Sequence, residues 1–226
     1  MAAIKGQSPV VCGPLVLFHR SLIVEFLEPD DTTPNSTVVI KVTFKGQHAN
    51  TKLGKAHPAA SLDLPWRAPP LHLHFEQSES FVMLSGRLGN TMGWDAKDRV
   101  FTPADGVNEI PPWLPHNFWP DPTCTDEDTV VVLWAHPEAT PSPMQINFFE
   151  SLFLLLSEKY EAGQTPDFLQ LCLSQQEVAT AGVIFPTAWW LGPLRWGVPW
   201  IMQSSMAQVA RWCGYKVFPF ESSKSV

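Results

Sequence analysis

The stretch from Pro69 to Gly86 carries the side chains best suited to chemistry in this chain, reading Leu71-His72-Leu73-His74-Phe75-Glu76-Gln77-Ser78-Glu79-Ser80-Phe81-Val82-Met83 at its centre. On an extended strand, residues two apart face the same side. His72 and His74 therefore project together, while Leu71, Leu73 and Phe75 cover the opposite face. Gln77-Ser78 can turn the chain, after which Glu79, Phe81 and Met83 share one face of the next strand. A carboxylate thus arrives beside two imidazoles. Gly86 then permits a tight reversal.

Two histidines one residue apart, a glutamate after four more and a glycine after six more resemble the first motif of the cupin family. Gly106 to His116, a glycine followed by the proline-rich run Pro111-Pro112-Trp113-Leu114-Pro115 and a histidine, is similar to the second. The glycine usual in that family some residues before the first histidine is absent, with Trp66 and Arg67 in that region. Trp113 occupies a usual glycine position, and Asn117 directly follows the histidine. The resemblance spans roughly residues 65 to 136. It implies a mainly β cupin double-stranded β-helix, or jelly-roll barrel, with a metal held by His72, His74, Glu79 and His116. Three neutral imidazoles and one carboxylate suit a single divalent transition metal. Fe(II) is favoured, and Mn, Ni, Cu or Zn are also compatible. One carboxylate leaves such a site net positive, which favours an anionic substrate such as an enolate, phenolate or carboxylate.

The elements that must position this set are short. Residues 9 to 136 read as β-type runs between Pro, Gly, Asp and Asn clusters. Strands are predicted at Val10 to His19, Leu22 to Leu27, Thr37 to Phe44, His72 to Phe75, Ser80 to Leu84 and Thr129 to Ala135. Turns are predicted at Pro29 to Asp31, Gly86 to Asn90 and Pro120 to Pro122. After Pro137 the pattern becomes helical, with Ile146, Phe149, Leu152, Phe153 and Leu156 at helical spacing within Gln145 to Glu161. Thr165-Pro166-Asp167 reads as a cap, a first-position proline and a first-turn acid opening a helix through Ala179. A third helix is predicted from Pro199 through Trp212, stopped by Gly214. The division is a barrel domain at 1–140 and a helical extension at 141–226 that packs on the barrel or at a dimer interface.

Composition narrows the partners. With 45% of residues in the AVILMFWYC set, a substantial core can form. A formal net charge of -7 argues against nucleic acid, because neutralising phosphates needs clustered Lys and Arg. The four cysteines, Cys12, Cys124, Cys172 and Cys213, are widely spaced and make no CxxC pair, so reduced thiols are expected. Met1 to Leu15 is broken by Pro9 and Gly13-Pro14 and makes a poor export signal, which gives a cytoplasmic expectation. Asn35-Ser36-Thr37 matches a glycosylation acceptor but reads as a turn. Phe148 to Leu156 is too short to span a bilayer.

Phe81, Met83, Trp94, Phe118 and Trp134 are assigned to a pocket for a small aromatic or greasy molecule. Arg67 and Arg87 are read as solvated, and His19, His48, His57 and His136 as structural or surface. The Trp-rich segment Phe185 to Trp196 must be covered, by closing over the barrel mouth, in a homodimer contact or at a membrane interface, and the first two lead because the segment lacks a basic face. The resemblance, especially to cupins of fungal secondary metabolism, implies a metal-dependent oxygenase acting on an aromatic or polyketide-like molecule, with Glu79 as ligand or general base. A non-oxidative isomerase, decarboxylase or cyclase, and a non-catalytic small-molecule-binding cupin, are the alternatives.

Overall fold

The computed structural model describes residues 8–60, 71–183 and 189–217. Arg67, Trp66, residues 185–188 of the Trp-rich segment and the Ser-rich tail at 222–226 lie outside the described residues. The strands are β1 Val10–Leu17, β2 Leu22–Leu27, β3 Val38–Phe44, β4 His72–His74, β5 Ser78–Ser85, β6 Leu88–Met92, β7 Lys97–Phe101, β8 Val107–Ile110, β9 His116–Pro120, β10 Thr129–His136 and β11 Thr180–Gly182. The helices are α1 Ile146–Glu161, α2 Phe168–Gln176 and α3 Leu194–Trp212.

The strands form two antiparallel sheets, ordered β1-β2-β3-β10-β5-β8 and β11-β4-β9-β6-β7. Strands β3 to β10 divide between the two sheets, as β3-β10-β5-β8 and β4-β9-β6-β7. That is the jelly-roll order. Apolar residues from both sheets meet between them, with Val42, Phe81, Met83 and Leu133 from one and Leu88 and Phe101 from the other in a single core. Strand alternation explains how β10 reads as apolar throughout. Val131, Leu133 and Ala135 enter this core, whereas Val132 and Trp134 join Leu27, Val39 and Val82 in a second cluster.

Sequence patterning found the strands with strong apolar alternation and missed β6 to β9 and β11. The segment Gly86 to Asn90 is only partly a turn. Gly86 makes the reversal at φ +72°, where a Cβ would lie 2.7 Å from Thr129 Cα. Leu88 already begins β6. Gly89 sits inside that strand because the Trp119 indole lies across it, 2.3 Å from where a Cβ would be.

Two helix starts also differ from expectation. The cap of α2 is Asp167, whose carboxylate accepts the Gln170 N–H at 3.1 Å, so Thr165 lies outside the helix. Helix α3 begins at Leu194 and contains Pro199 instead of opening on it. Gly214 follows its end at φ +82°, as predicted. Helix α1 is fastened to the β1–β2 turn, where Ser157 Oγ accepts the Phe18 N–H at 2.7 Å and Glu161 accepts the His19 N–H at 2.8 Å.

The segment after residue 140 is not only helical. Its strand β11 pairs with β4, placing Thr180 opposite His74 and Gly182 opposite His72. A buried Gln77 secures the approach to α1, donating to the Pro137 carbonyl at 2.9 Å and accepting the Met144 N–H at 2.6 Å.

Candidate metal centre

Strand β4 carries His72 and His74 on one face, β5 presents Glu79 near its start, and β9 begins with His116. His116 is in register with His72, which closes the second sheet around the pair. The imidazole centroids of His72 and His116 are 4.5 Å apart, those of His72 and His74 5.0 Å, and those of His74 and His116 5.2 Å. One ligand atom from each of His72, His74, Glu79 and His116 lies within 4.8 Å of the others. The four side chains read from sequence therefore meet at one point.

Hydrogen bonds orient two of the rings. His116 Nδ1 is 2.9 Å from the Leu114 carbonyl, which can only accept, so Nδ1 carries the proton. Its Nε2 then faces Glu79 Oε2 at 2.8 Å. Two lone pairs at that distance require a shared cation, either a proton or a metal ion. His74 Nε2 is buried without a hydrogen-bond partner among the described residues, 3.5 Å from the same carboxylate oxygen. A buried nitrogen left in this way is costly unless something binds it.

The electrostatics favour the ligand forms. Burial pushes the His74 imidazole down, with only partial compensation from Glu79, so the ring stays neutral. Burial alone would push the Glu79 carboxyl up, but the close approach of the His116 and His74 ring nitrogens, 2.8 and 3.5 Å from Oε2, outweighs it. That approach holds Glu79 below the usual carboxylate range. A neutral His74 imidazole beside an ionised carboxylate supplies donor states that a divalent cation needs.

The loop before His116 shows how the motif tolerates its departure. Trp113 stands where a glycine is usual, yet it adopts φ +68°. Its N–H donates to the His74 carbonyl at 2.8 Å and its ring packs edge-on to Phe75 at 4.8 Å. Those contacts offset backbone strain of about 1–3 kcal/mol.

A cavity of about 260 Å³ adjoins the cluster and is lined by His72, His74, Glu79 and Asn117. Its apolar walls include Phe118 and Leu133 from the barrel, Phe149, Leu152 and Phe153 from α1, Leu171 from α2, and Met202 and Met206 from α3. Of the residues assigned to a pocket, Phe118 lines this cavity. Phe81 is fully buried behind it at 5.1 Å, and Met83 is in the core. Trp94 lies instead in a separate crevice beside Leu191 and Pro199, with the Arg195 guanidinium 5.7 Å from its ring. Trp134 occupies the other face of its sheet, in the Val132 cluster. Arg87 is bound to Asp121 at 2.9 Å, a structural pair.

Sequence reasoning missed Thr180, the helix residues of the cavity wall, and Asn117. Asn117 Oδ1 is buried without a hydrogen-bond partner among the described residues. For Asn117 the signal was its adjacency to His116; for the others only the pairing of β11 with β4 reveals them.

No protein-family model matches the chain. It is 35% identical over 197 residues to an oxidoreductase of Pestalotiopsis fici, covering 87% of each chain. A probable oxidoreductase of Hypocrea virens is 29% identical over 157 residues, 70% of this chain and 66% of that protein's length. Among solved structures, a cupin-like protein from Thermotoga maritima is 20% identical over 51% of this chain and 68% of that one, with a TM-score of 0.33.

Proposed function

This chain belongs to the fungal oxidoreductase family of the Pestalotiopsis fici protein, built here on a cupin barrel, and from that premise we propose that it is a metal-dependent, dioxygenase-like cupin enzyme. The observation that carries the reading is the convergence of His72, His74, Glu79 and His116 within 4.8 Å, with a buried nitrogen lacking a partner among the described residues. These four residues hold one divalent ion, with Fe(II) favoured. When bound, it supplies a Lewis-acid centre and, as Fe(II), the redox capacity for oxygen chemistry.

The chain's own groups set the rest. The substrate is a small aromatic or polyketide-like molecule, because the cavity walls are mostly aromatic and aliphatic side chains. Its acidic hydroxyl faces the cluster, where Glu79 accepts the proton as general base. Asn117 Oδ1 accepts a hydrogen bond from a second substrate hydroxyl. The apolar residues of α1, α2 and α3 exclude water from the same space. The enzyme works as a homodimer in the cytoplasm. Trp196, Trp200 and Ile201, each at least half exposed on α3, supply an apolar face for the partner. Among the described residues no helix is long and apolar enough to cross a membrane.

Elemental analysis of purified protein, followed by oxygen-uptake assays with enolic and phenolic compounds, tests the proposal. Stoichiometric metal and oxygen consumption are expected. Turnover that continues without oxygen would replace it with the isomerase, decarboxylase or cyclase reading, and a metal-free protein would leave only a binding function. Light scattering should give about twice the 25.2 kDa chain mass.

A further inference from the structure

Thr180 lies outside both histidine motifs, roughly a hundred residues after His74, and is brought to it by β11. Its Oγ1 is 2.9 Å from His74 Nδ1 and 3.2 Å from the Val178 carbonyl. The carbonyl can only accept, so the hydroxyl gives its one proton to Val178 and presents a lone pair to His74. His74 Nδ1 must then carry the ring hydrogen. That tautomer leaves Nε2 bare, and Nε2 is the buried atom without a hydrogen-bond partner among the described residues. Thr180 is itself only 4% exposed, so bulk water does not compete for the contact.

We propose that Thr180 is a positioning residue for the metal centre, fixing the tautomer and orientation of His74 from the C-terminal segment. The inference rests on the ligand reading above and adds a dependence that the two motifs do not contain. All four ligands come from the barrel, yet the hydrogen bond that orients one of them comes from a strand bracketed by α2 and α3. Thr180 also lines the cavity, as do Leu171 and Cys172 before it and Met202 after it. Occupancy of the cavity and orientation of a metal ligand therefore share one short element.

The test compares Thr180→Val, which removes the hydroxyl but keeps a β-branched side chain suited to a strand, with Thr180→Ser, which keeps the hydroxyl. Affinity for Zn(II) is measured by competition with a chromophoric chelator. The tautomer is read in metal-free protein from histidine ¹⁵N shifts, with His74→Ala assigning the resonance. Loss of an outer hydrogen bond to a metal-ligating histidine weakens metal binding roughly 10- to 100-fold, and that loss is expected for Thr180→Val. Thr180→Ser should restore affinity to within a few-fold of wild type. Wild type and Thr180→Ser should show the Nδ1–H form, and Thr180→Val a mixture. Wild-type affinity in Thr180→Val, equal weakening in both variants, or an Nε2–H form in wild type would each overturn the proposal. The ¹⁵N measurement on wild type decides even where Thr180→Val does not fold. Wild-type protein that takes up no Zn(II) would instead overturn the ligand reading and this inference together, a result distinct from failure of Thr180 alone.

Discussion

Lowering the pH from 7 to 5 should cost the fold about 2 kcal/mol through His57 alone. This imidazole is fully buried, with its ring edge-on to Phe18 and Phe44. The Ala59 N–H donates to Nδ1 at 3.1 Å, so Nε2 carries the proton and donates to Ser21 Oγ, also at 3.1 Å. Burial, with a smaller contribution from charge on His48, pushes His57 down to about 4 from an ordinary 6.5. The folded state therefore keeps the ring neutral, while the unfolded chain takes up a proton below pH 6.5. Stability falls as the pH drops through 6.5 and levels off near 4. The difference of about 2.5 pH units corresponds to about 3.4 kcal/mol in full, of which about 2 kcal/mol is lost by pH 5. Urea unfolding of wild type and His57→Gln at both pH values isolates the contribution. Wild type should lose about 2 kcal/mol more than the variant. Parallel losses would refute the reasoning, as would an NMR titration showing His57 charged at pH 5.

His74→Ala should abolish stoichiometric metal while leaving the far-ultraviolet circular dichroism unchanged, because the apolar core between the sheets does not depend on the ion; insoluble protein would show that the ion is structural. Glu79→Gln should lower turnover more than metal content, checked by elemental analysis beside the oxygen assay; equal losses would make Glu79 a ligand only. Gly89→Ala should destabilise by roughly 1–3 kcal/mol in denaturant melts, because its methyl group meets the Trp119 ring.

The His/Glu cluster was legible because its geometry is local. Period-two alternation puts His72 and His74 on one face, and a two-residue turn returns Glu79 beside them, whatever the rest of the chain does. His116 needed the resemblance, since nothing in the intervening residues fixes its place. Strands with strong apolar character, such as Leu22–Leu27, were equally plain. Strand β7, Lys97–Phe101, was not: its first three residues are exposed, and it is a strand because it hydrogen-bonds to β6. Backbone pairing of that kind leaves little mark on side-chain pattern.

Pocket residues divided along the same line. An aromatic side chain on a strand advertises burial but not which side of a packed sheet it is buried on. Phe118 faces the cavity, and Trp134 packs on the far side of its own sheet. The sequence by itself determined the donor types, the strand that pairs two imidazoles and the helical character of residues 146–161. Only the tertiary structure decided that α1, α2 and α3 wall the cavity and that Thr180 reaches His74, because contacts between residues so far apart in sequence depend on how the sheets and helices close around a shared core.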